Sequence, residues 1–462
     1  MGQISDSTGL SELTPAPERS TQAEPAGSLT DRSAGGPVVD SDAVTPPRSL
    51  SFLIGSLAGG NFVSMALRLA GGVLIGRFVA PSTLGLFNGI GLTLGYAPVM
   101  QLGVLNGLNR ELPYHVGRGH QQLVRELAAA AQAWALIVGS VVAMALLGVA
   151  GWHLAEGETL RAAGWFTHAL LALNLFYNTN YLQMTYRTSH DFARLALVGV
   201  VEAGLLLALI SVVWWQDFYG LCLRALIAGA VSTAILHYWR PVRVGPRWNF
   251  PHLKHLLIVG APIFGVGMLY GWWTTINSTL VLRLAGTEGM GLFSMVLVAI
   301  AAVEFIPQAV SQVVYPRMAE QYGRNSSVED LAVMVRKPIL ITAVGLVLVV
   351  GVGWWFVGPA VRLVVPAYVD AVPAMQWGLL LPVVSSFQPA NSIFNVVRRQ
   401  DMYVAAILLG YLANGLSLLW LINGQVDLTD FPQAMVAGRI VYMFAAYLFI
   451  RYLRRTSEIL PT

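Results

Sequence analysis

The chain has 462 residues, with 28 basic and 24 acidic side chains and a formal net charge of +4. Charged residues make up 11% of it and apolar residues 55%, whereas a soluble globular domain is about 25% charged. This composition excludes a soluble enzyme, and the small, dispersed basic excess excludes a nucleic-acid binder. The single cysteine, Cys222, excludes a disulfide framework, a cysteine zinc site and an iron–sulfur cluster. The composition is that of an integral membrane protein.

Residues 1–47 differ from the rest of the chain. They hold seven acids, two arginines and no aromatic residue, with many Ser, Thr, Gly, Ala and Pro. Because so little apolar surface could be buried, we expect a disordered cytoplasmic tail. No basic stretch precedes a short apolar core, as a signal peptide would require, and Asp6 stands where a myristoylation signal has Ser or Thr.

From Ser51 onward the chain is a series of apolar runs, each long enough for the roughly 20 helical residues that span a bilayer. The runs are continuous rather than alternating, which indicates helices that satisfy their own backbone in lipid. The predicted fold class is an all-α membrane protein with about twelve transmembrane helices. The twelve segments lie at 51–79, 84–108, 127–151, 163–187, 193–214, 218–239, 255–283, 290–314, 337–357, 372–397, 402–423 and 432–452.

Basic residues concentrate in every second loop. With the N-terminus inside, the cytoplasmic loops hold 18 arginines and lysines, whereas the opposite loops hold only Arg161 and Arg362. Since cytoplasmic loops carry the excess of basic residues, the asymmetry predicts a multi-pass protein with both termini in the cytoplasm.

An internal repeat relates the two halves of the chain. Arg77 is followed eight residues later by Gly85-Leu-Phe, and Arg283 is followed eight residues later by Gly291-Leu-Phe, an offset of 206 in both cases. One copy covers six helices, an even number, so both copies cross the membrane in the same direction. The pattern predicts two parallel six-helix lobes with pseudo-two-fold symmetry around a central cavity. The predicted domains are an N-terminal lobe (48–240), a cytoplasmic linker (241–254), a C-terminal lobe (255–455) and a C-terminal tail (456–462).

Two stretches of the first copy, 68–87 (RLAGGVLIGRFVAPSTLGLF) and 106–114 (NGLNRELPY), resemble the start of polysaccharide-biosynthesis flippases. These are the Wzx-type O-antigen and oligosaccharide-lipid transporters of the multidrug/oligosaccharidyl-lipid/polysaccharide exporter superfamily. In the second copy, 279–293 and 311–317 are similar to their seventh and eighth helices, and the resemblance extends over about 51–455.

The resemblance implies alternating-access flipping of a polyprenyl-diphosphate-linked oligosaccharide across a bacterial plasma (inner) membrane. It places the protein in O-antigen, capsule or exopolysaccharide biosynthesis. The implied partners are the lipid-linked substrate, membrane lipids and other polysaccharide-assembly membrane proteins, with no nucleic acid, and the protein is expected to be a monomer.

Three arginines lie inside predicted helices. A diphosphate headgroup needs cations, and the planar guanidinium binds phosphate oxygens bidentately. Arg68, Arg224 and Arg439 are therefore candidate substrate ligands, because an arginine at a helix centre costs about 2.5–3.5 kcal/mol and should face protein or water. For Arg68 an ion pair with Glu202 or Glu304 is an equal alternative, and for Arg224 and Arg439 snorkelling to the outer interface is slightly favoured. The two acids are candidate ion-coupling groups or simply neutralised partners.

Polar side chains recur at three- and four-residue spacing in the fourth and tenth segments, which are repeat counterparts, so each set lies on one helix face. Amides and hydroxyls supply the donors and acceptors that sugars need, although such residues also join membrane helices to each other. Two equivalent stripes favour a lined cavity. For Trp272 and Trp273, in the middle of the seventh segment, packing is favoured over stacking on sugars. The predicted substrate-binding residues are Asn174, Asn178 and Tyr181 in the fourth segment and Gln388, Asn391 and Asn395 in the tenth.

No motif of enzyme chemistry is present in the sequence. The two lysines, Lys254 and Lys337, do not follow glycine, so there is no P-loop, and no His-Glu-x-x-His occurs. We therefore predict no catalytic residue, no metal site and no cofactor. Two alternatives stay open: a multidrug/cation antiporter of the same superfamily, which the intramembrane arginines disfavour, and a membrane glycan polymerase or glycosyltransferase, which would need a substantial outer loop.

Overall fold

The computed structural model describes residues 50–422 and 424–459, and within these ranges it contains helices and turns but no strand. The predicted tail at 1–47 lies outside the described residues. The α-helices are α1 (Leu50–Phe78), α2 (Pro81–Tyr96), α3 (Val104–Gly117), α4 (Gln121–Ala155), α5 (Thr159–Leu173), α6 (Gln183–Thr188), α7 (Phe192–Ala208), α8 (Ile210–Tyr238), α9 (Phe250–Leu284), α10 (Gly286–Asn325), α11 (Val328–Val364), α12 (Val372–Gly378), α13 (Leu380–Ser385), α14 (Gln388–Val396), α15 (Gln400–Leu421) and α16 (Asp430–Ile459).

The predicted all-α fold is confirmed, and each of the twelve segments corresponds to a helix or to a run of short helices in the described ranges. Among the described residues, eight helical stretches are long and apolar enough to cross a membrane, and α9, which bends by 57° after Pro262, makes a ninth. In the second, fourth and fifth segments the helix is interrupted, so none of the three contains a single membrane-spanning helix. A 3₁₀ turn at Ala97–Gln101 interrupts the second, a π-helix at Asn174–Leu182 the fourth, and a break at Leu209 the fifth.

Two of the predicted boundaries shift in the structure. The linker was expected to continue to residue 254, but α9 already begins at Phe250, where the Asn249 side chain accepts a hydrogen bond from the backbone N–H of His252. At the other end, α16 continues to Ile459, into the predicted C-terminal tail.

The break in the second segment allows α3 to approach α9 closely. Pro98 ends the regular helix, and Gly103 adopts the left-handed conformation (φ 89°) that glycine tolerates best. A Cβ at Gly103 would lie 2.8 Å from the backbone of Ala261, and a Cβ at Gly107 would lie 2.0 Å from the carbonyl oxygen of Leu256. Small residues therefore bring a helix of the N-terminal lobe against the first helix of the C-terminal lobe.

Residues related by the repeat meet where α2 crosses α10. A Cβ at Gly85 would lie 1.7 Å from the carbonyl oxygen of Thr287, and a Cβ at Gly291 would lie 1.7 Å from that of Pro81, so neither position can hold a side chain. Nearby, Asn88 Nδ2 donates to Ser294 Oγ at 2.8 Å, again across 206 positions. Equivalent residues can face each other in this way only near a two-fold axis, so the lobes pack about their pseudo-symmetry axis here.

The predicted outer ends of the two lobes are packed together. An apolar cluster joins Ile75 and Val79 of the first segment to Phe293 and its neighbours in the C-terminal lobe. The Tyr368 hydroxyl donates to the carbonyl of Val79 at 2.9 Å. Arg77 Nη1 donates to the carbonyl of Val364 at 3.2 Å, so it braces one lobe against the other.

Candidate functional site

The C-terminal lobe holds a buried arginine. Arg439 of α16 is only 8% exposed, so the snorkelling alternative is wrong for this residue. Its Nη1 donates to the Tyr270 hydroxyl at 2.7 Å, and the guanidinium carbon lies 4.9 Å from the ring centroid of Tyr270 and 5.0 Å from that of Trp273. Within the described residues no carboxylate forms an ion pair with Arg439, and its Nε has no hydrogen-bond partner. Glu304 is near enough to attract it electrostatically. The cation is thus held by aromatic faces and one hydroxyl.

The polar stripe of the tenth segment faces this arginine. Ser385, Gln388 and Asn391 line a cavity of about 10 Å³ together with Arg439 and Tyr442, a space for about one water. Gln388 Oε1 and Asn391 Oδ1 are buried atoms without a hydrogen-bond partner. Since buried polar atoms are normally satisfied, these two acceptors beside the cation mark a place where a water or a ligand can bind. Asn395, predicted to join them, is exposed near the C-terminal end of α14.

Glu304 of α10 belongs to the same region. Ser385 Oγ donates to Glu304 Oε1 at 3.1 Å, which contradicts the proposed pairing of Glu304 with Arg68. Trp273 is 1% exposed, and its ring fills the space above Gly410 and Gly438, where an added Cβ would lie 2.9 Å from the indole. Trp273 therefore packs in the protein interior, as expected.

The polar stripe of the fourth segment has a different environment. Asn174 Nδ2 donates to the Gly229 carbonyl at 2.8 Å and to Thr233 Oγ1 at 2.7 Å, and Asn178 Nδ2 donates to Ser232 Oγ at 2.8 Å. The wider turns of the π-helix place both amides against α8. These two residues thus join helices, and the expectation that they line a cavity is wrong in this structure. Tyr181 is 1% exposed, and its hydroxyl has no partner.

The charges of the N-terminal lobe are largely compensated. Arg68 Nη2 lies 3.0 Å from Glu202 Oε1, with 44% and 26% of the two side chains exposed, so Glu202 rather than Glu304 is its partner. Arg224 Nε donates to the Leu206 carbonyl at 2.6 Å, in the last turn of α7, where backbone carbonyls lack helical partners. Arg224 therefore caps a broken helix instead of snorkelling.

Sequence reasoning missed Tyr270 and Tyr442, which surround Arg439. A signal was present, because Tyr270 precedes Trp273 by three residues and so shares its helix face.

One cluster at the predicted outer face offers metal-ligand atoms. His153, Glu156 and Glu158 place such atoms within 4.8 Å of one another in the described part of the chain. Arg161 Nη1, however, donates to Glu158 at 2.7 Å, and His153 Nδ1 lies 2.7 Å from the same carboxylate. The hydrogen bond from Arg161 lowers the pKa of Glu158. These contacts satisfy the cluster within the protein itself.

The comparisons with known proteins agree with this architecture. A family model described as polysaccharide biosynthesis protein matches residues 134–344. The predicted family resemblance is confirmed. No curated protein matches the chain by sequence.

Among solved structures, the inward-facing conformation of a multidrug resistance MATE family transporter of the MOP superfamily aligns with a TM-score of 0.74 and 16% identity, over 86% of this chain and 96% of that chain. The outward-facing conformation of such a transporter gives 0.65 and 17%, over 88% and 96%. A MOP-superfamily transporter from Pyrococcus furiosus, described as having a binding pocket of reverse polarity, gives 0.61 and 17%, over 88% and 96%. This chain is therefore a multi-pass membrane protein with the MOP-superfamily fold.

Proposed function

We propose that this protein is a secondary transporter that flips a polyprenyl-diphosphate-linked oligosaccharide across the plasma membrane during polysaccharide synthesis. The family match and the MOP fold support a transporter in this process. The observation that carries the proposal is Arg439, a buried cation with no ion-paired carboxylate among the described residues and with unpaired amide oxygens beside it. Because a buried intramembrane charge without an ion-paired carboxylate is costly, its presence favours a role in binding an anion.

The chemistry of this pocket suits a sugar diphosphate. Tyr270 and Trp273 hold the guanidinium by its face and leave Nε for a phosphate oxygen. Gln388 and Asn391 offer amide groups to sugar hydroxyls. The cavity now admits about one water, so a phosphate can reach Arg439 only when α14 and α16 separate. Alternating access provides such a movement.

The N-terminal lobe offers a second cationic patch. Arg224 lies close enough to Arg68 for the two cations to repel each other, and Glu202 neutralises one of them. Since 44% of the Arg68 side chain is exposed, its ion pair is weak and can be exchanged for a phosphate oxygen. Under the proposal, Arg68 and Arg224 are secondary ligands, and Glu202 and Glu304 are candidates for ion coupling.

A multidrug/cation antiporter is the second candidate, because the structural neighbours include transporters described as multidrug resistance proteins. The arginines in the helices argue against it, since each repels a cationic substrate. A glycan polymerase is less favoured, because the predicted outer connections at 156–158 and 365–371 are short.

The test compares Arg439→Gln with Arg439→Lys in cells that depend on this protein for glycan export. We expect Arg439→Gln to reach the membrane normally and to lower export at least tenfold, and Arg439→Lys to retain part of it, because an ammonium lacks the bidentate fork. Arg362→Gln, an exposed arginine at the predicted outer face, is the matched control and should export normally.

Full export by abundant Arg439→Gln protein would contradict the proposal. Uptake of an organic cation into vesicles by the wild type, stimulated by Arg439→Gln, would favour the antiporter instead.

A further inference from the structure

A second cavity lies at the predicted cytoplasmic face, where the linker between the lobes crosses the start of α4. Its volume is about 450 Å³, within the range of about 300–1,000 Å³ that is usual for small-molecule sites. Its walls carry Arg125, Arg243 and Arg247, with the amides of Gln122 and Asn249. It shares no lining residue with the cavity beside Arg439.

The backbone of the linker explains why its arginines converge. Residues 243–249 have no regular secondary structure, and Val242 and Val244 pack against the apolar core of the N-terminal lobe. Arg243 and Arg247 are exposed beside these anchored valines and line the cavity. The backbone N–H of Arg247 donates to the Ala129 carbonyl at 3.1 Å and so fixes the linker against α4.

The opposite wall comes from one face of α4. Gln122, Arg125 and Ala129 are spaced by three and four residues and therefore point the same way. Arg125 thus stands across the cavity from the two linker arginines.

The cavity has an excess of positive charge. Its one acid in the described structure, Glu126, is already engaged: Gln122 Nε2 donates to Oε1 at 2.9 Å, and His252 Nε2 lies 3.1 Å from Oε2. Among the residues that the structure describes, no acid forms an ion pair with Arg125, Arg243 or Arg247. Three cations therefore face a cavity whose own carboxylate is already hydrogen-bonded on both oxygens.

We propose that this cavity binds a phosphate or diphosphate group, at a site separate from the transport pathway. Three guanidinium groups and two amides match the several acceptor oxygens of such an anion. The phosphate can belong to a lipid headgroup of the cytoplasmic leaflet or to a free cytoplasmic compound. Trp248 and Phe250, beside the cavity, are 54% and 63% exposed, and exposed aromatics of this kind are typical of the headgroup level.

Gly245 gives a direct way to block the cavity. A Cβ at this position would meet no atom within 4 Å, so Gly245→Glu adds a carboxylate to the lining without a clash. The double change Arg243→Gln with Arg247→Gln removes two cations at exposed positions, and Arg451→Gln removes an exposed cation elsewhere on the predicted cytoplasmic side as the matched control.

The full chain is titrated with inorganic pyrophosphate by calorimetry, first in lipid-depleted detergent and then in nanodiscs with and without phosphatidylglycerol. Native mass spectrometry of the same samples counts retained phosphatidylglycerol. We expect saturable pyrophosphate binding in detergent that weakens at least tenfold in Gly245→Glu and in the double variant and is unchanged in Arg451→Gln. Thermal unfolding should be the same for all four proteins.

The titrations in nanodiscs identify the source of the phosphate. Phosphatidylglycerol that is retained by the wild type, lost from both variants and competes with pyrophosphate assigns the site to a lipid headgroup. Pyrophosphate binding that is equal with and without the anionic lipid assigns it to a free compound. If the wild type binds neither probe, or if the wild type and both variants bind them equally, the proposal is overturned.

Discussion

The fourth segment of each lobe presents amides to the sixth segment, but the residue that meets them differs between the lobes. In the N-terminal lobe it is Thr233, which accepts hydrogen bonds from Asn174 and Asn178 and leaves no charge in the interface. In the C-terminal lobe it is Arg439, which lines a cavity with Gln388 and Asn391.

The difference shows what distinguishes a structural contact from a binding site in this fold. An interhelical hydrogen bond in a membrane stabilises by about 0.6–2 kcal/mol, whereas a buried arginine costs about 2.5–3.5 kcal/mol. At this interface the hydrogen bonds to Thr233 stabilise the N-terminal lobe, whereas the buried charge of Arg439 destabilises the C-terminal lobe. The comparison therefore assigns stability to one stripe and ligand binding to the other, and two experiments test it, while a third compares the outer connections of the lobes.

The largest effect is expected when the C-terminal residue is placed in the N-terminal lobe. Thr233→Arg should lower the amount of folded protein in the membrane, because it places a charge in the interface with the fourth segment and removes the acceptor for two asparagines. Thr233→Val, which removes only the acceptor, should lower stability by about 1–2 kcal/mol. Membrane abundance and thermal unfolding measure both, and an abundant Thr233→Arg protein with a normal unfolding midpoint would reveal an open cavity in that lobe.

A smaller effect is expected when one asparagine of each polar stripe is replaced. Asn178→Ala should reduce the free energy of unfolding by about 1–2 kcal/mol and leave export close to normal, since Asn178 bonds only to α8. Asn391→Ala should leave unfolding nearly unchanged and lower export several-fold, because its oxygen is unpaired and faces the cavity. Export assays and thermal unfolding of both proteins are needed. If Asn178→Ala abolished export at normal stability, the assignment of roles would be reversed.

The smallest effect concerns the connections at the predicted outer face. In the N-terminal lobe the hydrogen bond from Arg161 lowers the pKa of Glu158 below its ordinary value of 4.5. A carboxyl whose folded pKa is depressed stabilises the fold above its unfolded pKa, and this stability is lost as the pH falls through the folded pKa. The unfolding midpoint of the wild type should therefore fall more steeply below about pH 4.5 than that of Glu158→Gln.

The C-terminal lobe supplies the matched control for this experiment. Its outer connection is held by the neutral bond from the Tyr368 hydroxyl to the Val79 carbonyl. Tyr368→Phe should lower stability by about 1 kcal/mol and leave the pH profile parallel to that of the wild type. Parallel profiles for Glu158→Gln and the wild type would show that the ion pair contributes nothing.

Much of the fold could be predicted because each decisive interaction is local in sequence. A run of about 20 apolar residues must form a helix in lipid, whatever its neighbours are, since its backbone has no other partner there. The repeat also pointed to residues that pack beside each other, because Gly85 and Gly291 lie near the pseudo-symmetry axis that the repeat implies. The breaks at Ala97–Gln101 and Asn174–Leu182 were not predicted, because they depend on which helix packs alongside.

By itself, the sequence determined that this chain is an all-α membrane protein of two related halves, with polar stripes in their fourth helices and arginines within the apolar segments. Hydropathy, residue spacing and sequence repetition can be read from the sequence alone. They therefore do not depend on how the segments are arranged in space. Only the tertiary structure decided which stripe is hydrogen-bonded to a neighbouring helix and which lines a cavity with an arginine. The partners of Asn174 and Asn178 lie more than 50 residues away in α8, Tyr270 lies 169 residues from Arg439, and Arg68 meets Glu202 instead of Glu304. Whether a polar group in a membrane holds helices together or binds a ligand depends on the side chain that faces it, and folding alone brings that side chain into place.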